Sequence, residues 1–161
     1  MLAVLGLWAA LMAAGNEIVP GLGEFKSDGC SMFPDGSYYN CCYVHDVAYW
    51  PGGTADERKK ADEDLRACVR GITGSGFLAG LMYWGVRMGG GPAHDTTYRW
   101  GFGWPFPYRS DYGPLTPEER KQVADKTRTL CASLELNPVT GGYRVDGDKE
   151  ISAAQEKLIC P

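Results

Sequence analysis

The spacing of apolar and polar positions along the chain predicts a mainly α-helical protein. Residues 40–50 contain no Gly or Pro, and Pro51 and the two glycines after it end the segment, which predicts a helix of about three turns. A capping box at Thr54 and Glu57 predicts a second helix that runs to about Val69. Later segments predict three more helices, over residues 77–88, 116–136 and 152–160.

One segment between these helices has a different period, because every second residue from Tyr98 to Tyr108 is aromatic. A period of two is typical of an extended chain with one buried face, so we expect an extended aromatic segment here. Two interpretations are open. The segment lies over the core, or its Trp and Tyr side chains form a rim that inserts at a lipid surface.

The first fourteen residues are apolar and carry no charge. They are too few to span a bilayer, which takes about 20 residues, and small residues follow at positions 13–15, as in a secretory signal. The sequence therefore predicts a signal segment, residues 1–15, and a single domain, residues 16–161, of a secreted or periplasmic protein. The alternative is an apolar first helix packed on the domain.

Composition excludes some classes of protein. The chain has 161 residues, 44% of them hydrophobic and 22% charged, which is typical of a globular domain rather than a disordered one. Its net charge of −4 argues against nucleic-acid binding, which needs a basic surface. Six cysteines in an exported chain predict three disulfides, which can pair in 15 ways. Zinc is the competing interpretation, but no CxxC pair is present.

The first two predicted helices carry candidate chemistry on their apolar faces. At 100° per residue, His45 lies near the centre of the face that also contains Cys41, and Asp62 lies within the apolar arc of the second helix. A carboxylate on a buried face is costly unless it is paired.

The short connection between these helices predicts an antiparallel hairpin. In such a hairpin, the residue numbers of two residues that face each other add up to a nearly constant value. Three pairs meet this condition: Cys41 with Cys68, Ala48 with Ala61, and His45 with Asp62. One register thus predicts a disulfide, a close contact and a His–carboxylate pair. That pair is either a structural hydrogen bond in a core or a catalytic dyad, in which the acid orients the imidazole.

These residues resemble those of a known family. Residues 41–49, Cys-Cys-x-x-His-Asp-x-x-Tyr, are similar to the CCxxHDxxY motif of secreted phospholipases A2. Residues 28–36 resemble a calcium loop of that superfamily in its microbial or group XII-like form. Residues 61–68 resemble its second catalytic helix, and the whole resemblance covers about residues 25–70.

The resemblance implies a disulfide-linked, antiparallel two-helix core of phospholipase A2 type, with additional C-terminal helices. It also implies which cysteines pair: Cys41 with Cys68, Cys30 with Cys42, and Cys131 with Cys160.

The resemblance further implies a set of site residues. His45 would be the general base towards water, Asp62 would orient the imidazole, and Tyr49 would support this pair. A Ca²⁺ ion would polarise the ester carbonyl and stabilise the oxyanion. Its ligands would be the carboxylate of Asp46 and loop atoms. These are the carbonyls of Gly29, Ser31 and Phe33 in the animal pattern, or the carboxylate of Asp28 with Gly29 in the microbial pattern.

The expected function is calcium-dependent hydrolysis of a glycerophospholipid at the sn-2 ester, with the substrate at a membrane or micelle surface. The alternative is a catalytically silent phospholipase A2-like module that binds a lipid or a protein. The presence of His45, Asp46 and Asp62 together favours the enzyme. A purely structural cysteine-rich domain would leave the acid on the apolar face unexplained.

Overall fold

The fold is mainly helical with one small sheet. The computed structural model describes residues 18–160, so the expected signal segment, residues 1–15, lies outside the described part. The described part of the chain contains five helices and three strands, in the order α1 Tyr39–Tyr49, α2 Ala55–Thr73, α3 Gly76–Gly89, α4 Pro117–Ser133, β1 Glu135–Leu136, β2 Tyr143–Asp146, β3 Lys149–Ile151 and α5 Ala153–Ile159. No helix within residues 18–160 is both long and apolar enough to cross a membrane.

Helices α1 and α2 form the predicted antiparallel pair. The disulfide between Cys41 and Cys68 joins them at one end, with the Cα atoms 5.7 Å apart. The capping box of Thr54 and Glu57 starts α2, as predicted. The helix continues past Val69 and ends where Gly74 adopts a left-handed conformation, φ +67°.

The predicted close contact between Ala48 and Ala61 is not formed. Ala48 is exposed to solvent, whereas Ala61 is buried and packs with Tyr49 and Trp100. The space beside Ala61 is thus filled by aromatic rings from α1 and from the segment after α3, rather than by a close approach of two alanines.

The C-terminal third packs on the other side of α1. Tyr39 and Tyr43 of α1 form a core cluster with Ile151 of β3 and Ile159 of α5. Three antiparallel strands in the order β1-β2-β3 lie between α4 and α5, and the Cys131–Cys160 disulfide ties the two helices together. The sequence pattern did not predict this sheet, because strands of two to four residues are too short to display a period.

The aromatic segment corrects the prediction of an extended chain. Residues 98–109 form consecutive turns around Arg99, which is buried. Its guanidinium donates hydrogen bonds to four backbone carbonyls, at 2.7–3.2 Å: those of Trp100, Trp104, Tyr108 and Arg109. The period of two in the aromatic residues therefore does not mark one buried face, and burial along the segment does not alternate.

These turns also rule out a continuous aromatic rim. Trp100 and Trp104 are buried, and their indole N–H groups donate to the carbonyls of Gly53 and Pro51 in the α1–α2 connection. Two of the six alternating aromatics, Tyr98 and Phe106, are exposed. The segment therefore covers the end of the helix pair, as the first of the two interpretations expected.

Replacing Arg99 tests this account of the aromatic segment. Arg99→Ala removes the donors to four carbonyls, so we expect the free energy of unfolding to fall by about 3 kcal/mol or more. Arg128→Ala is the matched control, because the Arg128 side chain is 74% exposed. Urea denaturation followed by tryptophan fluorescence measures both variants, and equal stabilities would contradict the central role of Arg99.

Candidate active site

A buried histidine and a buried aspartate meet between α1 and α2. His45 Nε2 lies 2.9 Å from Asp62 Oδ1, and the Tyr49 hydroxyl donates to the same oxygen at 2.6 Å. His45 and Tyr49 are one helical turn apart on α1, so both face Asp62 on α2. The structure thus brings together the three residues expected to be catalytic.

The contact defines the state of the imidazole. Asp62 is fully buried, and its carboxylate accepts hydrogen bonds, so Nε2 carries the hydrogen and Nδ1 has a free lone pair. Nδ1 lies on the side of Asp46, with Asp46 Oδ1 at 4.0 Å. In the neutral tautomer that donates from Nε2, His45 therefore directs the lone pair of Nδ1 towards the residue expected to bind metal.

Two arginines that the sequence analysis did not single out complete the surroundings of Asp62. Arg87 Nη1 of α3 donates to Asp62 Oδ2 at 2.7 Å, and Arg58 Nε of α2 lies 4.0 Å from the same oxygen. Arg58 Nε also donates to the Tyr49 hydroxyl at 3.0 Å. A signal for Arg58 was present, since it precedes Asp62 by four residues and shares its helix face.

Arg58 also holds the end of α3 against α2. It is almost fully buried, and its Nη2 donates to the carbonyls of Val86 and Arg87 at 2.7 and 2.9 Å. Its Nη1 donates to the hydroxyl of Tyr112. One side chain thus links Tyr49, the last turn of α3 and the loop before α4.

These partners keep the buried acid ionised. Burial alone would raise the pKa of Asp62, but hydrogen bonds from His45, Tyr49 and Arg87 outweigh it and hold the pKa below its usual value. The negative charge on Asp62 can in turn stabilise a positive charge on the imidazole.

Asp46 has a different environment. It is buried, and Ser27 donates to its Oδ2 at 2.5 Å. Burial raises the pKa of Asp46 to about 8, against the lowering effect of the Ser27 hydrogen bond, and the nearby charge of Asp28 adds to the rise. A carboxylate with such a pKa is suited to a cation, whose charge offsets the cost of burial.

The loop before α1 has a defined shape beside Asp46. Gly29 and Ser31 adopt positive φ angles of 73° and 52°, and the Asp35 carboxylate accepts a hydrogen bond from the Cys30 amide at 3.1 Å. A Cβ on Gly29 would lie 2.7 Å from Asp35 Oδ1, so a side chain there would displace the Asp35 carboxylate as well as strain the backbone. The Cys30–Cys42 disulfide fastens this loop to α1.

The loop residues that line one cavity with Asp46 offer oxygen atoms of the type that calcium binds. Within residues 18–160, the carbonyls of Gly29, Ser31 and Phe33 accept no backbone hydrogen bond, which leaves them available as ligands. No group of three or more His, Cys, Asp or Glu side chains that could hold a metal occurs among the same residues. A cation here would need one or two carboxylates together with carbonyl oxygens, which calcium accepts.

The position of Asp28 does not decide between the two ligand patterns. Its Oδ1 accepts a hydrogen bond from the Ser31 hydroxyl at 2.9 Å, and its charge is close enough to influence Asp46. Asp28 does not line the cavity described next, whereas Gly29, Ser31, Phe33 and Asp46 do.

A cavity of about 400 Å³ opens beside His45 and Asp46. The loop and α1 form one side of it, and its deeper apolar wall comes from α2 and α3 through Leu65, Met82 and Val86. The lining of the cavity therefore combines the polar side chains of His45 and Asp46 with apolar side chains that suit a hydrocarbon chain.

Comparison with known proteins identifies no relative. No family model, no curated protein and no solved structure matches this chain.

Arg58 provides a test of the buried network. Arg58→Ala leaves the hydroxyl of Tyr49 and two carbonyls of α3 without their donor, so we expect stability to fall by about 3 kcal/mol. Lys59→Ala is the matched control on the same helix, since the Lys59 side chain is 59% exposed and its ion pair with Glu63 contributes less than about 1 kcal/mol. Thermal and urea denaturation measure the stability of both variants. Equal stabilities would contradict this account.

Proposed function

We propose that this chain is a calcium-dependent esterase of phospholipase A2 type that hydrolyses a glycerophospholipid, at the sn-2 ester. The observation that carries the proposal is the His45–Asp62 hydrogen bond of 2.9 Å through Nε2, which leaves Nδ1 free beside Asp46 and the cavity. The apolar end of the cavity supports a lipid substrate over a small polar ester.

In the proposed mechanism, Nδ1 of His45 takes a proton from a water molecule as that water attacks the ester carbonyl. Asp62 holds Nε2–H in place and stabilises the imidazolium, while Tyr49 and Arg87 fix the carboxylate. His45 then returns the proton to the leaving alcohol oxygen. No covalent bond forms between the protein and the substrate.

The metal in this proposal would be held by Asp46 with the carbonyls of Gly29, Ser31 and Phe33, or by Asp46 with Gly29 and the carboxylate of Asp28 in the microbial arrangement. A bound calcium ion supplies positive charge that stabilises the oxyanion formed from the ester carbonyl. Ser27 aids this function by fixing Asp46 Oδ2, so that Oδ1 keeps its orientation beside His45.

Hydrolysis of phospholipid vesicles, with calcium or with EDTA, tests the reaction. His45→Ala removes the general base, so we expect the rate to fall about 10²- to 10⁴-fold. His94→Ala is the matched control, because His94 is the chain's other histidine, is exposed and contacts the carbonyl of Gly89.

Two results would count against the enzyme. Unchanged hydrolysis in His45→Ala would exclude the proposed base. If the wild-type chain binds calcium and vesicles but releases no fatty acid from any phospholipid, the silent binding module becomes the better description.

Calcium binding is tested separately from turnover. Asp46→Lys introduces an ammonium where the cation is expected, so we expect calorimetry to detect no Ca²⁺ binding. Asp148→Lys is the control, because Asp148 is exposed in the turn between β2 and β3. Asp28→Asn distinguishes the ligand patterns: weaker affinity supports the microbial one, and unchanged affinity supports the animal one. Normal Ca²⁺ affinity in Asp46→Lys would exclude a site at Asp46.

A further inference from the structure

Helix α1 has a second face, which takes no part in the candidate active site. Tyr43 lies two residues before His45, about 200° around the helix, so its side chain points away from α2. Its ring packs with Ile151 and Ile159 in the core of the C-terminal third. It also meets the ring of Phe25 edge-on, with the two ring centroids 5.3 Å apart. These contacts fix the ring of Tyr43 in place.

A second cavity, of about 360 Å³, lies on this side of α1. Its walls come from the loop before α1, from α1 itself, from the end of α4 and from β2. Six of its lining residues have polar or charged side chains: Lys26, Ser27, Tyr43, Ser133, Arg144 and Asp146. Within residues 18–160, no residue that lines this cavity also lines the cavity beside His45. We call it the second cavity.

The hydroxyl of Tyr43 indicates that the second cavity holds a ligand. Tyr43 is 3% exposed, yet among residues 18–160 no group forms a hydrogen bond with its hydroxyl. The two nearby carboxylates are engaged elsewhere: Oδ2 of Asp46 accepts from Ser27, and Oδ2 of Asp146 accepts from Tyr39. A buried polar group without a partner is costly. Because protein does not fully enclose this hydroxyl, a molecule in the second cavity can supply the missing partner.

The missing partner is a hydrogen-bond acceptor. Burial raises the pKa of Tyr43 to about 12, and the charges of Asp146 and Asp46 add to the rise. The hydroxyl therefore keeps its proton at neutral pH and is available as a donor.

The charged side chains around the second cavity favour an anion as that acceptor. Lys26 forms no ion pair within residues 18–160, and the contact of Arg144 with Glu135 is loose, at 3.8 Å. Asp146 carries the opposite charge, but it already accepts a hydrogen bond and pairs with Lys149 across β2 and β3. The charges left without a close partner are thus the two cations.

We propose that the second cavity binds a small organic anion, a carboxylate or a phosphate ester, whose oxygen atoms accept from Tyr43 and pair with Lys26 and Arg144. The apolar side chains of Phe25 and Leu134 also line the cavity and would contact the carbon atoms of the ligand. This inference goes beyond the proposed function and does not rest on it, since no residue that lines the second cavity is a proposed catalytic residue.

Three probes test the charge and the source of the ligand, in NMR titrations of the ¹⁵N-labelled chain with EDTA present. Hexanoate and hexylammonium have the same chain length and opposite charge, and glycerol 3-phosphate carries a phosphate ester. We expect at least one of the two anions to saturate shifts at the amides of residues 130–134 and 144–146. Saturation by hexanoate identifies a carboxylate on an apolar chain, and saturation by glycerol 3-phosphate identifies a phosphate ester.

Three results of these titrations would overturn the inference: binding of no probe, binding of hexylammonium at least as tight as that of the anions, and shifts confined to the cavity beside His45. None of them depends on turnover or on calcium. Failure of the anion site and failure of the proposed function are therefore separate outcomes.

Tyr43→Phe tests the unpartnered hydroxyl. The free protein loses no hydrogen bond in this variant, so we expect an unchanged Tm, whereas anion affinity should fall about tenfold. Tyr39→Phe is the matched control, one helical turn away, because it removes the donor to Asp146 and should lower the Tm. If Tyr43→Phe lowers the Tm as much as Tyr39→Phe does, or keeps the wild-type anion affinity, the hydroxyl is not a ligand-binding group and the inference is wrong.

Lys26→Ala and Arg144→Ala test the charge pairing. Both side chains are exposed, so each variant should bind the anion about two- to fivefold more weakly. The difference from the wild type should shrink in 1 M NaCl, which reduces the Debye length to about 3 Å. Lys121→Ala is the matched control, because Lys121 is exposed on α4 and does not line the second cavity. The same affinity in all three variants would exclude the assigned anion site.

Discussion

The structure depends on one buried carboxylate, that of Asp62. Burying a charge is strongly unfavourable unless hydrogen bonds and opposite charges surround it, and here α1, α2 and α3 each contribute a partner. His45 and Tyr49 come from α1, Arg58 from α2 and Arg87 from α3. The need to keep hydrogen-bond and ion-pair partners around the Asp62 carboxylate therefore holds the three helices in one arrangement, in addition to the hydrophobic contacts between them.

The disulfides complement this centre. Cys41–Cys68 fixes the level of α1 against α2, and Cys30–Cys42 fixes the loop against α1. Both bonds lie in the same core cluster as Leu65 and Met82, next to the cavity. Each disulfide closes a loop and so lowers the conformational entropy of the unfolded chain. Each also fixes the distance between parts of the proposed site: α1 and α2 in one case, and the loop and α1 in the other.

The contact between His45 and Asp62 was predicted from the sequence, whereas the small sheet and the turns of the aromatic segment were not. The residue numbers in the two helices were enough to place His45 opposite Asp62, because few registers of an antiparallel helix pair also place two cysteines opposite each other. The roles of Arg58 and Arg87 were missed: the spacing of four residues between Arg58 and Asp62 was not used, and no sequence pattern placed Arg87 of α3 against Asp62. The prediction of an extended aromatic segment failed for another reason: one buried cation, Arg99, organises consecutive turns, so the period of two in the sequence does not correspond to one buried face.

The enclosure of Arg99 has a consequence for how the molecule opens. Its four carbonyl contacts span residues 100–109, so no single turn can detach while the others stay in place. The amide of Gly101 also donates to the carbonyl of Tyr49, and that of Trp100 to the carbonyl of Gly90. The segment thus forms one cooperative unit of local unfolding, whose backbone amides should exchange with solvent together. Because it covers the ends of α1 and α3, we expect local opening of these two helices to be coupled to opening of a segment that contains none of the proposed catalytic residues.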